Sequence, residues 1–216
     1  MGVSVADARL VALLRKELQR AHEILTELRR VLQSLNDSGN REVGLERLNY
    51  VRELKMAAGE HHAEYLSYLS KVGRSLVHRE EWVRIGLKVM DFLDKLSGMS
   101  YRLGFLIEKS WIVPQSVQKL LVSMCEGVDV MTLKLDGILH KLQMSPQEAL
   151  EDLKEISRLE NAIDETYRAA MFEILSANIS SNTALLLLSI SEMLENSSDT
   201  LYELTNNLYI ILLDTL

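Results

Sequence analysis

Residues 155–213 read EISRLENAIDETYRAAMFEILSANISSNTALLLLSISEMLENSSDTLYELTNNLYIILL. It predicts two long helices. In the second helix, apolar residues recur at spacings of three, four and seven: Ile190, Leu194, Leu201, Leu204, Leu208 and Ile211. That recurrence is the period of an amphipathic α-helix. The polar run ANISSNT (177–183) separates the two helices as a short joint.

Each of these helices carries two acids at a spacing of four, Glu160 with Asp164 and Glu195 with Asp199. Residues four apart lie on one helix face, with about 6 Å between their Cβ atoms. Two such pairs on adjacent helices would offer an all-oxygen site for Mg²⁺, Mn²⁺, Zn²⁺ or iron, and the motif does not name the metal. The sequence therefore predicts a divalent or iron-type metal site at Glu160, Asp164, Glu195 and Asp199.

The position of the acids on their helices predicts an open groove. At 100° per residue, Glu195 and Asp199 lie about 140–180° from the apolar stripe of their helix, and the first pair lies at the edge of its own stripe. The alternative is an ordinary solvated face, in which Arg168, four residues past Asp164, neutralises that acid as a surface ion pair. Glu195, Asp199 and Glu203 have no such base, because residues 169–216 contain six acids and no Lys, Arg or His.

Charge is distributed unevenly along the 216 residues, whose formal net charge is -7. Residues 1–110 hold 18 Lys and Arg against 15 Asp and Glu, whereas residues 111–216 hold 6 against 16. An acidic chain with an acidic second half argues against nucleic-acid binding. The single cysteine excludes an intrachain disulfide and fits a reducing compartment. With no apolar signal core and no uninterrupted apolar span, we expect a soluble cytoplasmic protein.

Periodicity and turn residues predict six long helices and no sheet. Asn40, the capping box SPQE (145–148), and Asn182 or Thr183 are the expected N-terminal caps, and Pro114 the first residue of the fourth helix. The expected helices span about Val5 to Leu35, Arg41 to Lys71, His78 to Lys109, Pro114 to Gln143, and Pro146 to Asn178. The sixth runs from its cap at Asn182 or Thr183 nearly to the C-terminus. Three glycines inside the third helix, Gly86, Gly98 and Gly104, predict close packing against a neighbouring helix.

The two halves of the chain resemble each other. GLERLNYVRELK (44–55) aligns with ALEDLKEISRLE (149–160) at an offset of 105, and VMDFLDKLSGMSYRL (89–103) aligns with ISEMLENSSDTLYEL (190–204) at an offset of 101. The first and fourth helices align at an offset of 107, with Leu28 over Leu135. We therefore expect one domain, residues 1–216, made of two three-helix repeats, about 1–110 and 111–216. In the first repeat the four acids correspond to Lys55, Gly59, Asp94 and Gly98.

RLENAIDETYR (158–168) and EMLENSSDTLYEL (192–204), each with an E-x-x-x-D motif on a long helix, resemble the PhoU-like phosphate-uptake regulators. The resemblance is to the short PhoU-like proteins associated with inorganic phosphate transporters. It implies a bundle of six antiparallel helices with pseudo-twofold symmetry, and metal ions bound by these motifs on the helix surface. Carried over, it implicates Glu160, Asp164, Glu195 and Asp199. Lys55, Gly59 and Gly98 depart from the pattern in the first repeat.

The resemblance implies a noncatalytic regulator or accessory protein of inorganic phosphate uptake. Its partner would be a membrane phosphate transporter or the transporter's signalling partner, contacted from the cytoplasm at the inner face of the membrane. One alternative is a metal-independent helical interaction module, with LYIILL (208–213) as the seam of a homodimer. Another is a hydrolase in which clustered carboxylates and a metal activate water, although the sequence shows no general base. Adjacent His61 and His62 are expected on the polar surface.

Overall fold

The structure is a computed structural model that describes residues 4–142 and 144–215. Among these residues the chain is all-α, as the periodicity predicts. The helices are α1 (Val5–Gln33), α2 (Arg41–Val72), α3 (Arg79–Lys109), α4 (Gln115–Lys141), α5 (Pro146–Ser176) and α6 (Ser181–Thr215), with a short 3-10 helix at Ser38–Asn40 between the first two. The predicted end of the fourth helix, Gln143, lies outside the described residues.

The helix ends differ from the predicted caps. Ser145 makes no side-chain cap hydrogen bond. Glu148, the other half of the expected capping box, pairs with the ammonium of Lys141, and the backbone N–H of Ser145 donates to the carbonyl of Lys141. Asn40 does not cap α2. Its amide donates to the carboxylate of Asp37. Ser180, the residue before α6, caps the helix, since its hydroxyl accepts from the backbone N–H of Thr183. Pro114 precedes α4 instead of beginning it. Short polar side chains within a few residues of each other compete for the same backbone donors, which makes caps difficult to choose from sequence.

Helix packing follows the same scheme in both halves. α1 packs on α2 and α2 on α3; correspondingly, α4 packs on α5 and α5 on α6. The halves meet where α1 contacts α4 and α3 contacts α6. Among the described residues, α2 contacts only the first half and α5 only the second, so these two helices flank the bundle. No described helix has the length and apolarity needed to cross a membrane.

Side-chain contacts between the halves fit a pseudo-twofold axis. His22 on α1 and Asp129 on α4 occupy equivalent positions at the offset of 107, and they contact each other, with Nδ1 2.6 Å from Oδ1. Two residues at equivalent positions of the two repeats can contact each other only if they lie near the symmetry axis. On the other side of the bundle, Lys88 pairs with Glu203, and Arg102 donates to Ser189, the equivalent of Lys88. The three-helix repeat pattern is therefore consistent with the contacts between the halves.

Glycines in α3 allow close helix packing, as predicted. A Cβ at Gly86 would collide with the ring of Tyr65 on α2, and one at Gly98 would collide with the methyl end of Met193 on α6. Gly104 lies less tightly against Leu48, 3.6 Å from where its Cβ would be. The side chain of Tyr65 is fully buried and its hydroxyl donates to the carbonyl of Trp82 at 2.6 Å. These contacts fix α3 between α2 and α6.

Candidate metal site

The facing sides of α5 and α6 bring predicted site residues together. One carboxylate oxygen from each of Glu160, Asp164 and Asp199 lies within 4.8 Å of the other two. The first two acids are one turn apart on α5, and the third reaches across from α6. Two helices crossing in contact therefore complete a cluster that neither helix could form alone.

Glu195, the fourth predicted residue, lies beside this cluster without joining the group of three. It is one turn before Asp199 on α6, and the charges of Asp199, Asp164 and Glu160 all act on it. All four side chains are half-buried, which is the exposure expected of a surface groove. The two acids of α6 are less exposed than their angle from the apolar stripe suggests, because α6 packs against α3, α4 and α5.

Mutual repulsion and burial change the acidity of the groove. Burial, then the carboxylates of Asp199, Asp164, Glu192 and Glu160, raise the pKa of Glu195 to about 7. Burial and the charges of Asp164 and Asp199 also raise the pKa of Glu160. The pKa of Asp199 is raised by burial, Asp164 and Glu203. In all three cases burial is the largest cause and the neighbouring carboxylates add to it, so the ionised forms of these acids are disfavoured in the groove.

Two basic side chains border the groove. Arg168 pairs with Asp164 one turn along α5. This ion pair is the one predicted by the alternative interpretation, in which the acids form an ordinary solvated helix face. Lys95, from α3, lowers the pKa of Asp199, although its ammonium contacts Asp91 and Thr200. Burial and repulsion nevertheless outweigh both bases, because the pKa values of the three shifted acids are still raised.

Sequence reasoning missed two further groups at the groove. Glu192 lies one turn before Glu195 on α6 and raises its pKa. Tyr167 lies one turn after Asp164 on α5, and its own pKa is raised by burial, Glu192, Glu195 and Asp164. Extending each acid pair by three residues along its helix face would have found both. Lys95 could not have been found in this way, because it comes from another helix.

The equivalent groove of the first repeat is closed by an ion pair. Lys55, at the position of Glu160, has its Nζ 2.7 Å from Oδ1 of Asp94, at the position of Glu195. Gly59 and Gly98 replace the other two acids. At corresponding positions, the first repeat therefore has the ammonium of Lys55, whereas the second repeat has only carboxylates.

The donor set fits a hard or borderline cation. It consists of carboxylate oxygens, with a phenol nearby, and the group of three contains no histidine or thiol. Such donors suit Mg²⁺, Ca²⁺ or Mn²⁺ and accept Zn²⁺ or iron. A divalent ion placed between Glu160, Asp164 and Asp199 would neutralise the charge that raises the pKa values around it. The exposure of the groove leaves room for water or a partner's side chain on the outer side of such an ion.

Comparisons with known proteins identify the fold. No family model matches the chain, and no curated protein does so either. Among solved structures, a PhoU-like phosphate regulatory protein from Shewanella oneidensis MR-1 is similar over 95% of this chain and 99% of its own, with a TM-score of 0.77 and 11% identity. A PhoU-like protein from the same organism has a TM-score of 0.76, 12% identity and the same coverage.

A third similar structure is the phosphate transport system regulatory protein PhoU from Streptococcus pneumoniae. It has a TM-score of 0.59 and 16% identity, and the match covers 95% of this chain and 96% of that one. At these identities the matches show the fold alone. The chain therefore has the PhoU-like fold over nearly its whole length, as the E-x-x-x-D motifs and the repeat predicted.

Proposed function

We propose that this protein is a noncatalytic regulator or accessory protein of inorganic phosphate uptake, with a metal ion held on the acidic second repeat. The PhoU-like fold supports the link to phosphate regulation, because the similar proteins are described as phosphate regulatory. The observation that carries the metal site is the convergence of Glu160, Asp164 and Asp199 within 4.8 Å. Glu195 completes the predicted ligand set at the edge of the cluster.

We further propose that the protein acts in the cytoplasm and reaches a membrane phosphate transporter, or its signalling partner, from the inner face of the membrane. The metal would order the acidic groove and present a positive centre to that partner. Residues 1–216 are proposed to form one domain with repeats of about 1–110 and 111–216. The symmetric helix contacts support this division.

Phosphate uptake by cells tests the regulatory role. Cells lacking the protein are compared with cells producing the wild type or the variant Asp164→Asn/Asp199→Asn, by the initial rate of labelled phosphate entry. We expect the rate to change on loss of the protein and the variant to behave like the loss. An unchanged rate without the protein would contradict the regulatory role, whatever its metal content.

A metal-independent interaction module is the second candidate. Apolar side chains near the C-terminus favour it, because Tyr209, Ile210 and Leu213 of the LYIILL segment (208–213) are exposed, while its other members are buried in the core. Such a surface could form a homodimer seam. Sedimentation of wild type against Tyr209→Ser/Leu213→Ser separates the candidates: a metal-independent dimer that the variant abolishes favours the module.

A further inference from the structure

The interior of the first repeat holds a carboxylate that the proposed metal chemistry does not use. Glu17 on α1 is fully buried, with 0% of its surface exposed. Its Oε2 lies 3.1 Å from Nδ1 of His62 on α2, which is also buried. The prediction that His62 lies on the polar surface is therefore wrong; α1 covers it. Oε1 of Glu17 has no hydrogen-bond partner among the described residues.

The contact between Glu17 and His62 favours an extra proton on the pair. A neutral imidazole keeps one N–H, which can donate to the ionised carboxylate at 3.1 Å, but the pair then holds a buried negative charge whose other oxygen, Oε1, has no partner among the described residues. Such an anion is strongly unfavourable in a protein interior, whereas one more proton makes the pair neutral overall. Burial raises the pKa of Glu17, and the smaller effects of His62 and His61 oppose this.

The charged groups around the pair are few, and those nearby have other partners or face solvent. From α2, His61 and His62 act on Glu17, and the pKa of Tyr65 is raised by burial and by Glu17. From α3, Gly86 lies against the ring of Tyr65, and the carbonyl of Trp82 accepts from its hydroxyl, so neither contact brings a charge. On α1, Lys16 beside Glu17 is exposed to solvent. Arg15 pairs with Asp136 of α4, Arg20 with Glu23, and His22 with Asp129 of α4.

Packing alone does not require a carboxylate at this position. At the offset of 107, Glu17 corresponds to Met124 on α4, which is also fully buried. The neighbouring positions agree: Leu18 corresponds to Cys125 and Leu14 to Leu121, and all four side chains are buried. The second repeat thus fills the same place in the scaffold with an apolar residue. The Glu17–His62 pair has a property that Met124 lacks, the ability to gain or lose a proton.

We infer that Glu17 and His62 form a one-proton lock that fastens α2 to α1, so that the first repeat opens when rising pH removes the shared proton. The direction follows from the buried carboxyl: its protonated form is the one that the folded state favours. Loss of the proton leaves a buried anion that only opening of the α1–α2 contact can rehydrate. Each proton released on opening changes the opening equilibrium by up to tenfold per pH unit.

Amide hydrogen exchange in the intact protein tests this lock. Opening constants of α2 amides, residues 51–69, are measured from pH 4.5 to 9, starting at the ordinary pKa of a glutamate, and corrected for intrinsic exchange rates. We expect them to rise with pH in the wild type, by up to tenfold per unit. In Glu17→Gln the slope should be smaller than in the wild type, because the glutamine amide donates to the histidine ring and the carboxyl proton is absent. Equal slopes in wild type and variant would overturn the lock.

Two controls keep the result specific to the pair. Glu17→Met combined with His62→Leu replaces the pair by apolar residues, as Met124 does in the second repeat. It should show the same reduced slope, and it serves as the test if Glu17→Gln does not fold. A slope as steep as that of the wild type in this variant would refute the inference. Amides of α5, read in the same samples, should show the same profile in wild type and Glu17→Gln; a slope lost equally in α5 would contradict a local lock.

Discussion

Nζ of Lys55 lies 2.7 Å from Oδ1 of Asp94, at the two positions that correspond to Glu160 and Glu195. One repeat therefore joins its second and third helices with an ion pair, and the other repeat opposes carboxylates at the same place. Opposed carboxylates repel, and the raised pKa values of Glu160 and Glu195 show this repulsion together with the effect of burial. A bound cation in the second repeat would do what the Lys55 ammonium does in the first.

Replacing Glu160 by lysine should give the second repeat the ion pair of the first. In Glu160→Lys, an ammonium can reach Glu195 as Lys55 reaches Asp94. We expect the metal-free variant to melt about 2–4 °C above the metal-free wild type, the effect of about 1 kcal/mol in a chain of this size. Added Mn²⁺ should stabilise the wild type and leave the variant unchanged, as measured by thermal unfolding.

A matched control for this change is Glu165→Lys, which alters the same charge on an exposed part of α5. The control should keep its response to Mn²⁺. If both lysine variants melt alike, the gain comes from net charge and not from the groove.

The first repeat should accept a metal site when its acids are restored. Lys55→Glu with Gly59→Asp would set two new carboxylates beside Asp94, and a Cβ at Gly59 would meet no described atom within 4 Å. Loss of the Lys55–Asp94 pair should cost no more than about 1 kcal/mol. We expect isothermal titration to show additional Mn²⁺ binding per chain. Unchanged stoichiometry in a folded double variant would count against the equivalence of the two grooves.

Glu195 should make the stability of the metal-free protein pH-dependent. Its pKa is raised by burial and neighbouring carboxylates to about 7, from an ordinary 4.5. The stability that this group contributes is therefore fully present below pH 4.5 and is lost as the pH rises through 7. Denaturant unfolding from pH 4.5 to 8 should show a shallower decline for Glu195→Gln than for the wild type. Parallel declines would contradict a perturbed Glu195.

Two glycine substitutions should have opposite effects on stability. Gly86→Ala drives a methyl group into the ring of Tyr65 and should cost about 1–3 kcal/mol through overpacking. Gly59→Ala, on the open side of α2, should gain up to about 1 kcal/mol from helix propensity. Urea unfolding measures both. A neutral Gly86→Ala would mean that α2 and α3 pack less closely than the structure shows.

Most of the fold could be predicted from sequence because long helices carry repeated signals. The apolar stripe of α6 recurs over many turns, so an error at one residue does not change the assignment. The internal repeat then predicted that the six helices form two units of three. Caps were predicted poorly, because each depends on a single side chain among several that could serve, as Ser180 and Thr183 show.

The candidate site could be predicted only within each helix. Spacing along α5 and α6 found the acid pairs, since residues four apart share a face. It could not reveal that Asp199 reaches the α5 pair more closely than Glu195 does, because that depends on how the helices cross. For the same reason, the buried position of His62 was missed: its surroundings come from α1, 45 residues earlier in the sequence.

The most direct test of the metal site is the Mn²⁺ content of the purified protein after equilibration and removal of free ion. Wild type is compared with Asp164→Asn/Asp199→Asn, which removes one ligand from each helix. A second double variant, Glu151→Gln/Glu165→Gln, removes two exposed acids of α5 outside the cluster. We predict retained metal in wild type and in the exposed-acid control, and its loss in the cluster variant. Equal metal content in all three proteins would contradict the proposed site.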